Sequence, residues 1–543
     1  MLSILAGPAG SAPAAAAPAG VAPAPGVAAG AAPAAAAPAG AAPAAGGSTA
    51  TPLRSTAGAP TGPAPAAAGA ARPAPRFDFD GDGRDELVVF AAFSGLKAGL
   101  IVGYSGVPRR EVVSPSSLTD PTYTFNSTFT AGDFDGDGFA DLAVAGSRTV
   151  GSGSERTVCV YSGGPGGLDR AHADCLPVAG AATLVAGDLD GDGRDELAVG
   201  DGAPERDGPF RGAVTVLRGG ADGLTVDGAQ VVRQVLPRWP GLVEETFGGQ
   251  LAIGDLTGDG HDDLVIGGTR RGETESDAHG VVTLVPGSAG GPDPTRASKL
   301  EGQLDTFLSL PVDVMTLADL NADGREDLVL GLPRYDDGEV MYLPGSAAGI
   351  SLAGSRRIDQ GTPGVPGEPD GDADGSHFGF SIATGDATGD GIPDLLVGAI
   401  TDNVGEVSGA GSVTLIPGTP QGPTGAGSLR YTQDVPRTGV RRPDPSGPEP
   451  AEPEDYLGSA VALLDLDGTG PLEIFAEAKY EDTFTSGLLA QLRLQPPVPR
   501  RDGGPTAGPR LLPVEQYRPA DLSGPGFDVL RLGYGLLGGA HPY

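Results

Sequence analysis

Short apolar runs recur along this chain on either side of an acidic, glycine-rich loop. The runs leaving the loop read DLAVAG, ELAVGD, DLVIGG, DLVLGL and DLLVGA. A later set reads RTVCVYSG, GAVTVLRG, GVVTLVPG, GEVMYLPG and GSVTLIPG. Their Val, Thr, Leu and Tyr content and their terminal glycines predict a strand followed by a turn. No stretch sustains an apolar period of 3.6 residues, so the pattern predicts an all-β chain.

The acidic loop, DxDGDGxxD in its full form, sets the period. Its first Asp falls at 78, 133, 188, 255, 319, 386 and 465, in steps of 55, 55, 67, 64, 67 and 79 residues. Other features keep fixed offsets from it. An apolar anchor stands eight residues earlier at Phe125, Phe247, Phe378 and Leu457, followed by Gly248, Gly379 and Gly458 in the last three. A glycine follows twelve residues later at Gly200, Gly267, Gly331 and Gly398. Each repeat has a strand into the loop, a strand out of it, a third strand and room for a fourth. Repeats of this size with four short strands form propeller blades, and radial closure hides most sheet edges. The fold expected over residues 76–543 is a seven-bladed β-propeller. Residues 1–75 differ: they hold no aromatic and no acidic residue and are dominated by Ala, Pro and Gly. Such a segment cannot bury a core and reads as an extended or disordered spacer.

The loops carry the chemistry. Oxygen ligands at positions 1, 3 and 5, a glycine at 6 and a backbone carbonyl at 7 match the first half of an EF-hand-like calcium site, here with the last carboxylate at position 9. The candidate ligand sets are Asp78, Asp80, Asp82, Arg84 and Glu86; Asp133, Asp135, Asp137, Phe139 and Asp141; and Asp188, Asp190, Asp192, Arg194 and Glu196. Then follow Asp255, Thr257, Asp259, His261 and Asp263; Asp319, Asn321, Asp323, Arg325 and Asp327; Asp386, Thr388, Asp390, Ile392 and Asp394; and Asp465, Asp467, Thr469, Pro471 and Glu473. The seventh residue of each loop contributes its carbonyl only. Converging carboxylates repel unless a cation sits among them, and a flexible all-oxygen cage suits Ca²⁺ better than the octahedral demands of Mg²⁺. Up to seven structural Ca²⁺ are expected, pinning one strand turn per blade. They would bring the net charge from −35 to −21.

The segments FGGQLAIGDLTGDGHDDLVIGG and FGFSIATGDATGDGIPDLLVGAI resemble FG-GAP repeats, the units of the integrin α-chain propeller and of many bacterial surface proteins. Gly202, Ala203 and Pro204 repeat the family's GAP literally. The first repeat lacks an FG before Asp78, and the last has Thr469 where an Asp is expected. The resemblance implies a secreted or cell-surface binding module, adhesive in character. An extracellular hydrolase or lyase on the same scaffold, acting on a polysaccharide or phospholipid, is the alternative. Neither HExxH, GxSxG nor a P-loop is found, and the histidines at 172, 261, 279, 377 and 541 are scattered.

Charge and cysteines refine this picture. The acidic balance disfavours nucleic acid, whose phosphates would be repelled. Cys159 and Cys175 lie equally far from Gly167 in the turn GGPGGLD, which places them on adjacent antiparallel strands at disulfide range; two reduced core thiols are the alternative. A disulfide favours export, although residues 1–6 give only a hint of a signal segment. No run of 18 apolar residues exists, so no membrane-spanning segment is expected.

Three further segments complete the reading. Asp370, Asp372 and Asp374 mimic loop positions 1, 3 and 5 without an acid at 9, and residues 436–455 read as a loop before blade 7. Ring closure has several candidates: residues 72–77 as an inner strand of blade 1, and 511–517, 527–532 or the N-terminal side as the closing outer strand. Repeats 3 to 6 carry their extra length in the connections opposite the acidic loops. That face holds Arg238, Trp239, Arg270, Arg271 and Tyr335, residue types frequent at binding hot spots, and is the expected docking face for a protein or glycan partner.

Overall fold

The computed structural model describes residues 77–536 except 94–97, 105–108, 116–117, 119, 181–182, 202–211, 234–243, 272–277, 301–311, 313, 335–336, 368–374, 434–450, 480–486, 498–507 and 518–528. The unit spanning Gly69–Tyr543 is a ring of seven four-stranded antiparallel sheets. Among the described residues the only helical element is a single 3-10 turn, Pro294–Arg296. The expected seven-bladed β-propeller is the fold.

Each blade is a meander. In blade 4 the strands Glu244–Gly254, Asp263–Arg271, Ala278–Val285 and Ser298–Leu300 pair in chain order. The acidic loop joins the first two strands. The second strand is buried on both sides, between its own sheet neighbours and the adjacent blade, and so reads as an unbroken apolar run rather than an alternation: Asp327–Leu332 is buried at every position. The core is accordingly divided into layers between blades. One layer packs Val314, Leu320 and Val329 of blade 5 against Ile382, Leu395 and Ile416 of blade 6, and another packs Val89 and Ile101 of blade 1 against Ala460 and Phe475 of blade 7.

The FG dipeptide is an inter-blade device. Phe247, Phe378 and Leu457 are buried, and the strand register slips directly after each of them. The slip is a bulge built on Gly248, Gly379 and Gly458, whose φ values of 88°, 90° and 92° favour glycine. Each bulge carries its carbonyl against a glycine in the second strand of the preceding blade. A Cβ on Gly200, Gly331 or Gly398 would meet the oxygen of Gly248, Gly379 or Gly458 at 2.1, 2.3 or 2.2 Å. Two of the recurring sequence offsets therefore meet in one contact. Hydroxyls complete it: Thr183 Oγ1 donates to the Gly248 carbonyl at 2.9 Å and Ser381 Oγ to that of Gly458 at 2.7 Å.

The ring closes through the C-terminus. Blade 7 is complete in itself, with Arg510–Tyr517 as its outer strand. Val529–Leu536 crosses the seam and pairs with Leu87–Phe93 as the inner strand of blade 1, where it packs between the first strands of blades 7 and 2. Of the candidates for the closing outer strand, 511–517 is the outer strand of blade 7, whereas the segment expected at 527–532 falls on Val529–Leu536, which is an inner strand and not an outer one. The inner position of blade 1 is held by Val529–Leu536, and the candidate at 72–77 lies, apart from Phe77, outside the described residues. Cys159 and Cys175 face each other on the third and fourth strands of blade 2 and form a disulfide.

Candidate metal centres

Each loop is wound on its first aspartate. Asp133 Oδ1 accepts the amides of Gly136 at 2.8 Å and Asp137 at 3.1 Å, and Oδ2 accepts that of Gly138 at 3.0 Å. The same three bonds recur on Asp78, Asp188, Asp255 and Asp386. The ninth residue ties the loop to the blade. Asp141 accepts the Phe134 amide at 3.1 Å and the Gly163 amide, beyond the third strand, at 2.9 Å. Asp394 and Glu196 make the equivalent pair of bonds, and Asp263 accepts the amide of Thr257, one residue further on, together with that of Gly287. Loop and strand turn therefore share one face.

The structure brings three carboxylates together in four of the loops. Asp78, Asp80 and Glu86; Asp133, Asp135 and Asp141; Asp188, Asp190 and Glu196; and Asp465, Asp467 and Glu473 each offer oxygens within 4.8 Å of one another. Positions 1, 3 and 9 form these groups. The acids at position 5 stand outside them: Asp137 and Asp192 accept the amides of Phe139 and Arg194, both at 3.0 Å. In loops 4, 5 and 6 the neutral third residue leaves no such triad among the described residues. Thr257, Asn321 and Thr388 turn their donors to Asp263, Asp327 and Asp394.

Burial without a counter-charge raises the ninth carboxyl. Desolvation, with the neighbouring Asp carboxylates adding to it, pushes Asp141, Glu196 and Glu473 up to about 7, and Asp327 and Asp394 up to about 6. An all-oxygen donor set whose buried member is disfavoured as a lone anion fits a hard divalent cation.

The loops also read one another around the ring. The amide of the eighth residue donates to the carbonyl of the first residue in the preceding loop: Ala140 to Asp78, Asp195 to Asp133, Asp262 to Asp188, Glu326 to Asp255, Leu472 to Asp386 and Asp85 to Asp465, at 2.9 to 3.1 Å. At the remaining junction the eighth residue is Pro393, which has no N–H. Where that residue is Asp, its carboxylate accepts a bond in return, Asp195 from the Asp133 amide at 2.9 Å and Asp85 from the Asp465 amide at 2.8 Å. Burial pushes Asp195 up to about 6. Ligand counting passes over these eighth residues. The acidic pair at positions 8 and 9 in RDE, HDD and RED was the signal that marks them.

Position 7 is a second link. The Phe139 ring covers Gly81, the His261 ring covers Gly191, and Pro471 covers Gly389. Arg194 and Arg325 lie over Gly136 and Gly258 and donate Nε to the carbonyls of Asp135 and Thr257. Position 4 is thus glycine for two reasons, the neighbour's side chain and a φ near 75° at Gly81 and Gly136.

The candidate docking residues are placed less fully. Arg270 and Arg271 end the second strand of blade 4, paired with His279 and Ala278, on the face opposite the loops. Arg238, Trp239 and Tyr335 lie outside the described residues, as do Asp370, Asp372 and Asp374.

Three stretches of the ring match FG-GAP repeat families. Residues 133–199 match the FG-GAP-like repeat family, and residues 247–283 and 378–416 match the FG-GAP repeat family. The chain is 30% identical to integrin alpha-7 of Mus musculus over 209 residues, 38% of this chain and 16% of that protein. It is 27% identical to integrin alpha-6 of Homo sapiens over 212 residues, covering 39% and 17%, and 32% identical to integrin alpha-PS2 of Drosophila melanogaster over 235 residues, covering 41% and 15%. The likeness thus spans about a sixth of those relatives. Among the described residues no helix is long and apolar enough to cross a membrane.

Proposed function

We propose that this protein is a calcium-stabilised binding module that works outside the cell or at its surface, with the propeller as a rigid frame for a protein or glycan partner. The observation that carries the reading is the convergence of three carboxylates in four loops that share one face of the ring. Positions 1, 3 and 9 would hold the ion, with the carbonyl of position 7 and the acid at position 5 available to complete an oxygen shell. A bound cation supplies charge compensation there and no chemistry of transfer. It holds the strand turns in place, so that the opposite face presents connections of varied length on a fixed scaffold.

The docking region proposed for that face includes Arg270 and Arg271 at the end of the second strand of blade 4, with Arg238, Trp239 and Tyr335 added on the sequence alone. The disulfide Cys159–Cys175 and the likeness to integrin α-chains support an extracellular setting. The test has two parts. Metal analysis and calorimetry of the purified chain should show bound calcium and a melting temperature lowered by EGTA. The double variant Trp239→Ala with Arg271→Ala should lose capture by native cell surfaces or a glycan array while keeping calcium content and melting temperature. A melting curve indifferent to EGTA refutes the calcium reading, and retained capture refutes the docking face.

A further inference from the structure

We infer that the third strand of blade 2 offers an open sheet edge at Gly153–Arg156, and that this edge takes an added strand: an extended segment of another protein, with a carboxylate opposite Arg156. The inference rests on the docking face proposed above, on which this edge stands, and names the form of what docks there.

The edge exists because blade 2 outgrows its neighbours. Its strands are Tyr123–Gly132, Asp141–Val150, Gly153–Tyr161 and Asp174–Pro177. The second strand runs ten residues, against six in blades 3, 5, 6 and 7. Its hairpin therefore reaches about 13 Å further from the acidic loops. Nine consecutive pairs, from Leu142 with Tyr161 to Val150 with Gly153, join the second and third strands without a bulge. Every residue from Arg148 to Arg156 is exposed. The outer strand does not follow the hairpin outward, since its pairing ends at Pro177, opposite Thr157.

The projecting hairpin is nevertheless ordered by its inner neighbour. Tyr123 and Thr124 of the first strand pair with Arg148 and Ser147. Arg148 donates Nε to Asp120 at 3.0 Å and lies over the Tyr123 ring, 5.6 Å from its centroid. The Thr149 amide donates to the Thr122 carbonyl at 3.2 Å. An edge fixed in this way costs a partner little ordering on this side.

The ladder shows which backbone groups the edge presents. The Val178 amide donates to the Arg156 carbonyl at 3.0 Å, across the pair of Thr157 with Pro177. Antiparallel alternation then turns the backbone groups of Ser154 and Arg156 outward, and those of Gly153 and Glu155 toward the second strand. Beyond Pro177 the Ser154 N–H, the Ser154 C=O and the Arg156 N–H thus face outward, and no described residue pairs with them. Donors and acceptors at ladder spacing match the backbone of a strand, which the hydroxyls of a glycan do not reproduce. Neither a proline nor a bulge blunts this stretch. Arg156 has no ion pair among the described residues, and its cross-strand neighbours on that face, Ser147 and Thr124, are neutral. An acidic residue on the added strand would compensate it.

The test is fluorescence anisotropy of a labelled heptapeptide of alternating Val and Asp, titrated with the full chain, beside the same peptide N-methylated at every residue. The first should bind saturably and the second should not. Ser154→Pro deletes an outward N–H and none of the hairpin's own bonds, so it should keep the melting temperature and weaken the peptide by about tenfold. Arg156→Glu leaves the backbone intact and should weaken it by about fivefold, while favouring a peptide of alternating Val and Lys. No binding of the Val–Asp peptide, equal binding of its methylated form, or unchanged binding by a folded Ser154→Pro chain overturns strand addition. Should Ser154→Pro melt lower than the parent, Arg156→Glu decides, and unchanged binding there overturns it. A chain that sediments as a dimer, with Ser154→Pro a monomer, gives the edge to a second copy and overturns the assignment to another protein. The docking reading itself is judged separately, by capture with the Trp239→Ala and Arg271→Ala double variant.

Discussion

The FG-to-glycine contact between blades makes the sharpest prediction, because two glycines at one junction should respond oppositely to the same substitution. A Cβ added at Gly200 would lie 2.1 Å from the Gly248 carbonyl oxygen and 2.2 Å from Thr183 Oγ1. Neither partner can swing aside, since one is backbone and the other is a stiff β-branched side chain already bonded to that carbonyl. Restoring ordinary van der Waals contact requires blades 3 and 4 to separate by about 1 Å at this point. Overpacking of this kind costs about 1–3 kcal/mol, and loss of the Thr183 bond adds about 1 kcal/mol. Gly200→Ala should therefore destabilise by about 2–4 kcal/mol. With a melting entropy of about 2.1 cal/mol/K per residue over the 475 residues of Gly69–Tyr543, a loss of that size lowers the melting temperature by about 2–4 °C. Gly249 is the control: its Cβ would meet nothing within 4 Å and its φ is not in the left-handed region. Gly249→Ala should leave the melting temperature unchanged or raise it slightly. Differential scanning calorimetry in calcium reads both. A Gly200→Ala protein that melts with the parent, or a Gly249→Ala protein that falls as far, would refute the assignment of this contact.

Three other outcomes follow from the same geometry. Ala322 holds position 4 of loop 5 at φ 56°, where the other loops have glycine, so Ala322→Gly should stabilise by about 0.5–1 kcal/mol, read as a raised melting temperature. Ending the chain after Tyr517 removes the inner strand of blade 1, and the product should lose its cooperative transition and associate on size-exclusion chromatography; an unchanged, monomeric profile would contradict the seam. Without calcium, Asp141, Glu196 and Glu473 hold protons up to about pH 7, whereas in the unfolded chain they lose them near their ordinary values close to 4. The native state then binds more protons across that window, so its stability should be greatest below it and should fall as pH rises from about 4 through 7. Calcium, which prefers the ionised carboxylates, should flatten or reverse the trend, measurable as melting temperature against pH with and without EGTA.

Much of this molecule was legible before any coordinates. The seven blades follow from the seven acidic loops, the strands from the Val- and Leu-rich runs around them, and the disulfide from the equal spacing of Cys159 and Cys175 about Gly167. All three are local properties, set within a single repeat, and a periodic sequence states its local geometry many times over. What the sequence left open concerns neighbours. Asp85 answering Asp465, the His261 ring on Gly191, and Gly200 under the Gly248 carbonyl join different blades across the ring, and each became visible only when the blades were set side by side. Ring closure is the extreme case. No repeat contains the inner strand of blade 1, and its supplier, Val529–Leu536, lies more than 400 residues from Leu87–Phe93 in the chain. Local pattern carries the cost of bending and burying one repeat. Which partners offset that cost is a property of the closed ring, because only closure brings the first and last repeats into contact.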